Sequence, residues 1–232
     1  MNVKNIGIIL TLSVAIMVGQ GPVPGKPAER KGVKATTEDG RKILIYEDGT
    51  WGIAPKEIFN IPVGDSYFIG PKDAKVTVME WMDYQWPYCA RFTSSVNKLR
   101  TLYPNDVKVV FKNFPLRSHK QANKAALYAL AAGQQGKYNE MHHKIMEQYR
   151  DLKNNEDLPL QLADEMGLDI QLLQEDMNDP SLQQQIYRET NELRSTGLRL
   201  AVPKVLINGE EWDRKQFPNI EVLVKQLIDK AG

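Results

Sequence analysis

The chain of 232 residues has one cysteine, Cys89. One thiol forms no internal disulfide and supplies no Cys-rich zinc site. Histidine is almost as scarce, with His119, His142 and His143 the full set. His142 and His143 are neighbours, so on a helix they point about 100° apart and do not converge on one ion. No H-E-x-x-H or EF-hand spacing occurs. These absences leave no expected metal. An excess of one charge is missing too: 30 Lys+Arg stand against 29 Asp+Glu, a formal net charge of +1. A near-neutral chain offers no electrostatic case for nucleic acid. Hydrophobic residues at 42% and charged residues at 25% are ordinary for a folded protein and exclude chain-wide disorder.

The N-terminus carries one early positive charge, Lys4, then an apolar run over 6–18 followed by Gly19 and Gly21. That run is shorter than the ~20 residues a spanning helix needs. Residues 1–21 read as a secretory signal peptide, with an uncleaved anchor as the alternative. Either way the body is expected to be exported, to a periplasm or cell surface. Residues 22–32 hold Pro22, Pro24 and Pro27 among glycines and read as a linker. Over 33–60 the pattern predicts a small β meander and connector. Its strands at 33–37, 42–46 and 50–53 are punctuated by Asp39-Gly40 and Asp48-Gly49, which suit tight turns.

The main domain is expected over 61–232. Residues 76–81 form an apolar, β-branched run broken by Glu80 and predict a buried strand. Pro87–Leu102 predicts a helix, with Phe92, Val96 and Leu99 on one face, and 107–114 a second strand. An alanine-rich helix follows from Ala122. Further helices are expected over 138–149, 159–166, 170–177 and 182–196, with a solvated charged loop over 150–157. Strands at 205–208 and 211–213 flank an Asn208-Gly209 turn, and an amphipathic helix over 220–230 closes the chain. The order is β-α-β, a block of helices over about 120–195, then β-β-α: an α/β fold.

Four stretches carry a family resemblance. Residues 76–92 contain Glu80 and Trp86-Pro87-Tyr88-Cys89. Residues 110–116 are followed by His119. The alanine-rich helix runs into Gln135-Gly136-Lys137-Tyr138 and Met141-His142. Residues 202–209 open with Val202-Pro203. In this order the stretches resemble the DsbA-like branch of the thioredoxin-fold proteins, periplasmic thiol–disulfide oxidoreductases. The resemblance implies a thioredoxin-like fold with a helical insertion, preceded here by the small β segment. It implies no cofactor. Its partners would be client proteins or extended peptides, together with a redox partner protein.

The family's chemistry needs Cys-x-x-Cys at the start of the first helix, where the helix dipole favours a thiolate. Here the attacking position is Trp86, and only the resolving Cys89 remains. By the same resemblance Glu80 is a buried proton relay, Pro203 the cis-proline, and Val202 the residue whose backbone meets a client strand. Three readings of position 86 stay open. The chain is a thiol–disulfide oxidoreductase scaffold whose turnover Trp86 opposes, a redox-inactive pseudo-enzyme that binds extended peptides beside Pro203, or a selenocysteine enzyme. The last requires that codon 86 is UGA translated as tryptophan.

Overall fold

The computed structural model describes residues 8–9, 32–38 and 42–231. The expected leader and linker lie outside these residues, apart from Ile8–Ile9 and Gly32, as does the Asp39-Gly40 turn. The chain divides into two compact units, Met1–Lys56 and Glu57–Gly232.

In the smaller unit β2 (Gly32–Thr37), β3 (Lys42–Tyr46) and β4 (Trp51–Ile53) form the expected antiparallel meander, with β1 (Ile8–Ile9) pairing to β2. The Asp48 carboxylate accepts from the Thr50 N–H at 2.9 Å and its hydroxyl at 2.6 Å. Gly49 supplies the positive φ of 76°, so the Asp-Gly signal acts here as turn chemistry requires.

The larger unit is built on a sheet of order β5 (Phe68–Ile69), β7 (Val107–Asn113), β6 (Val76–Met82), β8 (Lys204–Ile207), β9 (Glu210–Glu211). Strand β6 (Val76–Met82) lies parallel to β7 (Val107–Asn113), in register from Val76↔Val107 to Met82↔Asn113. Helix α1 (Pro87–Leu102) makes the crossover between them. Strand β8 (Lys204–Ile207) runs antiparallel to β6 and turns through Asn208 (φ 48°) and Gly209 (φ 83°) into β9 (Glu210–Glu211). Those two left-handed residues suit a two-residue hairpin. Helix α8 (Ile220–Ala231) closes the unit. The strands read as continuous apolar runs because helices cover both faces of the sheet.

Between β7 and β8 lies the helical insertion: α2 (Ala122–Gln134), α3 (Tyr138–Glu147), α4 (Tyr149–Leu152), α5 (Leu158–Glu165), α6 (Ile170–Met177) and α7 (Pro180–Ser195). Side chains of Asp169 and Asp179 cap α6 and α7, accepting from Leu172 N–H at 3.0 Å and Ser181 N–H at 2.8 Å. The insertion is pinned to the sheet by Glu189 of α7. Its buried carboxylate accepts from Ser66 Oγ (2.6 Å), Gln185 Nε2 (3.0 Å), Asn113 N–H (2.6 Å) and Asn113 Nδ2 (2.8 Å). Trp81 Nε1 donates to the Glu189 carbonyl at 2.8 Å.

The structure corrects four expectations. The charged stretch 150–157 is not wholly a solvated loop, because it begins in α4 and Leu152 is fully buried. A two-residue edge strand, β5 (Phe68–Ile69), pairs with β7 and is too short to leave a periodic signal. The hairpin returns at Glu210–Glu211 rather than 211–213. The unit begins at Glu57 rather than 61, since Phe59 N–H donates to the Gly209 carbonyl at 2.8 Å and Ile58 bridges Glu210.

Helix α2 can pack this closely because Gly133 leaves room for Tyr67. A Cβ at 133 would overlap the far end of the Tyr67 ring, which is partly buried and stacks on Tyr138 at 4.2 Å. Helix propensity alone favours Gly133→Ala by about 1 kcal/mol, whereas overpacking costs about 1–3 kcal/mol. Gly133→Ala is expected to lower the urea midpoint without changing the m-value; a raised midpoint would contradict this packing.

Candidate functional site

The site grows from the turn between β6 and α1. Strand period places Trp81 toward α7 and Glu80 on the opposite face. Glu80 is 2% exposed, yet its carboxyl has no hydrogen-bond partner among the described residues, in contrast to Glu189 with four. Burial pushes its pKa well above the usual carboxylate value, and the nearby Arg214 cation partly opposes this.

Asp83 organises the turn. Its Oδ1 accepts from Gln85 N–H at 2.7 Å and lies 3.0 Å from His119 Nδ1. Its Oδ2 accepts from Leu116 N–H at 2.7 Å. Its own N–H donates to Cys89 Sγ at 3.4 Å. One buried aspartate therefore fixes the end of β6, the loop after β7 and the first turn of α1.

Trp86 is the N-cap of α1, with extended backbone and no side-chain cap bond, and Pro87 occupies the first turn. This is the position where a thiolate would meet the helix dipole, and it holds a neutral indole. The Trp86 ring is half-buried, tilted against Tyr88 at 5.3 Å and His119 at 5.6 Å. Cys89 lies one turn in and has no exposed surface. Burial raises its thiol pKa well above 9.0, and the charge of Glu80 adds to this; the Asp83 N–H and Arg214 act in the other direction.

The structure thus gathers Glu80, Cys89 and Trp86 in one place. Strand register carries Val202–Pro203 to the same end of the sheet, because Lys204 pairs with Trp81 and Pro203 precedes it. The Val202–Pro203 peptide bond is cis. Val202 is buried, and neither its N–H nor its carbonyl makes a backbone hydrogen bond among the described residues.

Arg214 was not among the sequence candidates. It follows β9, with its guanidinium 4.7 Å from the Trp212 ring and 6.0 Å from the Phe92 ring. Its side chain is exposed, and it is the cation acting on both Glu80 and Cys89. Its signal is topological: Glu80 pairs with Val205, and Trp212 N–H donates to the Val205 carbonyl at 3.0 Å. Nothing local to 214 marks it. Asp83 and His119 do lie in the motif stretches, but their joint role depends on the loop after β7 reaching back to β6.

A thioredoxin family model matches residues 63–227, and the chain belongs to that family. A thioredoxin-like oxidoreductase from Silicibacter pomeroyi superposes with a TM-score of 0.59 at 28% identity, over 75% of this chain and 95% of that one. Oxidised BdbD from Bacillus subtilis gives a TM-score of 0.65 at 20% identity, over 76% of this chain and all of that one, 100%. The fold is thus that of DsbA-like thiol–disulfide oxidoreductases. Among curated proteins, a Na(+)/H(+) antiporter NhaA 1 of Mycolicibacterium gilvum is 28% identical over 151 residues, 62% of this chain. The match spans 24% of that antiporter's length. Among the described residues no helix is long and apolar enough to cross a membrane.

The two buried glutamates give a pH prediction. Glu80 keeps its proton in the folded state above its ordinary value of 4.5. The native state therefore binds more protons than the unfolded one, and stability falls as pH rises from about 4.5 toward the raised folded value. Glu80→Gln removes this fall. It is expected to raise stability at neutral pH, because a neutral amide replaces a carboxyl that burial keeps from ionising, and to flatten the stability–pH curve. Glu189, raised in the same direction by burial, leaves a residual slope. Denaturant titrations at pH 4.5 and 7.5 check it, and a destabilised variant at pH 7.5 would contradict it.

Proposed function

We propose that this chain is an exported DsbA-type scaffold that holds extended polypeptide beside Val202–Pro203 and does not itself turn over disulfides. The observation that carries this reading is the pairing of a cap position occupied by Trp86 with a Cys89 that has no exposed surface. Disulfide exchange needs an accessible thiolate, and neither position supplies one. The client-binding features stand apart from that loss. Val202 has unpaired backbone groups in a buried setting, where such groups nearly always find a partner. An extended peptide would complete them by strand addition. Trp86 and the exposed ring of Tyr88 offer aromatic area beside it, the residue type favoured at binding hot spots. Export rests on the leader pattern of residues 1–21.

An extended-peptide library is expected to yield ligands whose affinity falls at least tenfold in Trp86→Ala, with no change in the redox state of Cys89. Ligands unaffected by that variant, or found elsewhere on the surface, would overturn the reading. Trp86→Cys is expected to form an intramolecular disulfide with Cys89 in mild oxidant, read by mass spectrometry with and without alkylation. Failure to form it would show that the scaffold no longer supports the redox pair.

A second reading is favoured by Glu80, whose unpartnered buried carboxyl is placed to act on Cys89. An idle buried acid destabilises the fold, so its presence fits a native nucleophile at position 86. A selenocysteine there would be ionised at neutral pH at the positive end of α1. This reading requires UGA at codon 86 with UGG at codons 51, 81 and 212, and a plain UGG at 86 ends it.

A further inference from the structure

The charges around Val202–Pro203 are distributed unlike those of the chain as a whole. The chain is near neutral, yet residues 84–105, 107–139 and 193–209 hold no aspartate or glutamate. The fold brings part of each stretch to one end of the sheet. The first opens with Gln85 and Trp86 and continues into α1. The second includes the loop after β7, which Asp83 draws in through the Leu116 N–H. The third contains the segment that leads into Val202–Pro203 and β8.

Exposed cations border that end: Arg91, Arg117, Lys120, Arg199 and Arg214. The Arg91 guanidinium lies 4.1 Å from the centre of the Tyr88 ring. Arg117 and Lys120 flank His119, whose ring is 5.6 Å from that of Trp86. Arg199 precedes Val202, and its carbonyl accepts from the Ala201 N–H at 2.9 Å. Arg214 belongs to the same end, since its charge acts on Glu80 and Cys89. None of these cations makes an ion pair among the described residues. Elsewhere in the unit Lys75 pairs with Asp106, Lys98 with Glu221, Lys124 with Asp157 and Lys137 with Glu140. The acids close to the site are already engaged or covered. The Asp83 side chain has no exposed surface, and Glu80 is buried and kept protonated by burial. Glu211 pairs with Lys204, and Asp213 accepts from the N–H groups of Lys215 and Gln216 at 2.8 and 3.3 Å.

The site is therefore ringed by charge of one sign around exposed apolar surface at Tyr88 and Leu200. Like charges gathered without partners repel one another, and an anionic partner relieves that repulsion. Resting on the peptide-holding reading above, we propose that the polypeptide held beside Val202–Pro203 is acidic, with aspartate and glutamate flanking an apolar centre. The apolar centre meets Trp86, Tyr88 and Leu200. An extended guest paired at Val202 advances about 3.3 Å per residue, so acidic side chains to either side of the paired residue extend over the cationic rim. Arginine predominates in that rim, and its planar fork takes a carboxylate with two parallel N–H donors.

The test uses the full chain and fluorescently labelled extended peptides that share one apolar centre and carry flanking glutamate, glutamine or lysine. Fluorescence anisotropy is read at low and at physiological salt. The glutamate peptide is expected to bind at least tenfold more tightly than the lysine peptide at low salt, with the gap narrowing as salt screens the rim. The double variant Arg91→Gln, Arg199→Gln is expected to remove most of that preference and to leave the glutamine peptide's affinity unchanged. Arg100→Gln, about 20 Å along α1 from Trp86 at 1.5 Å per residue, is expected to leave the preference intact. Equal binding of the three peptides, with affinity still lost in Trp86→Ala, would overturn the acidic specificity and leave the peptide site standing. Absence of binding by all three would overturn both. A loss in Arg100→Gln as large as in the double variant would reduce the effect to net charge and overturn the proposal. Binding of anionic phosphatidylglycerol vesicles without any preference among the peptides would assign the rim to a lipid surface and overturn it as well.

Discussion

The Asp83 carboxylate sets the geometry on which the site depends. Its two oxygens hold the Gln85 and Leu116 backbones and the His119 ring, and its N–H meets Cys89 Sγ. Charge-assisted bonds of this kind are roughly twice as strong as neutral ones, and this carboxylate is buried with all its contacts made by protein. The first turn of α1 therefore has no freedom to open toward solvent without breaking several of them at once. Cys89 stays covered and protonated, Trp86 stays at the cap against His119, and the end of β6 stays aligned with Val202–Pro203.

Two buried glutamates show how the same residue type serves opposite ends. Glu189 accepts four hydrogen bonds and acts as a rivet between the helical insertion and the sheet. Glu80 accepts none and is answered only at a distance by Arg214. Satisfied buried carboxylates specify a packing arrangement; an unsatisfied one is a strain on the fold. Their difference marks Glu189 as architecture and leaves Glu80 without a structural partner.

Much of this was legible in the chain. The apolar strands β6 and β7, the alanine-rich α2 and the Asn208-Gly209 turn all carry strong local signals, and Glu80 stands out because a charge interrupts an apolar run. Trp86 and Cys89 were placed by the motif stretches around them. What stayed hidden depends on register and long-range approach. Arg214 reaches Glu80 only because β9 lies two strands from β6, and the 83–116–119 contact requires the loop after β7 to fold back. Strand β5 is too short to show a period, and the burial of Leu152 inside a charged stretch follows from α4 packing under α3 and α5.

The central claim is that Cys89 is locked as a thiol in the folded chain. Ultraviolet thiolate absorbance of the native protein, followed with pH alongside alkylation by iodoacetamide, tests it most directly. The account predicts no thiolate step up to the ordinary cysteine value of 9.0, and alkylation only after denaturation. A titration step near neutral pH, or prompt alkylation of the native chain, would contradict it.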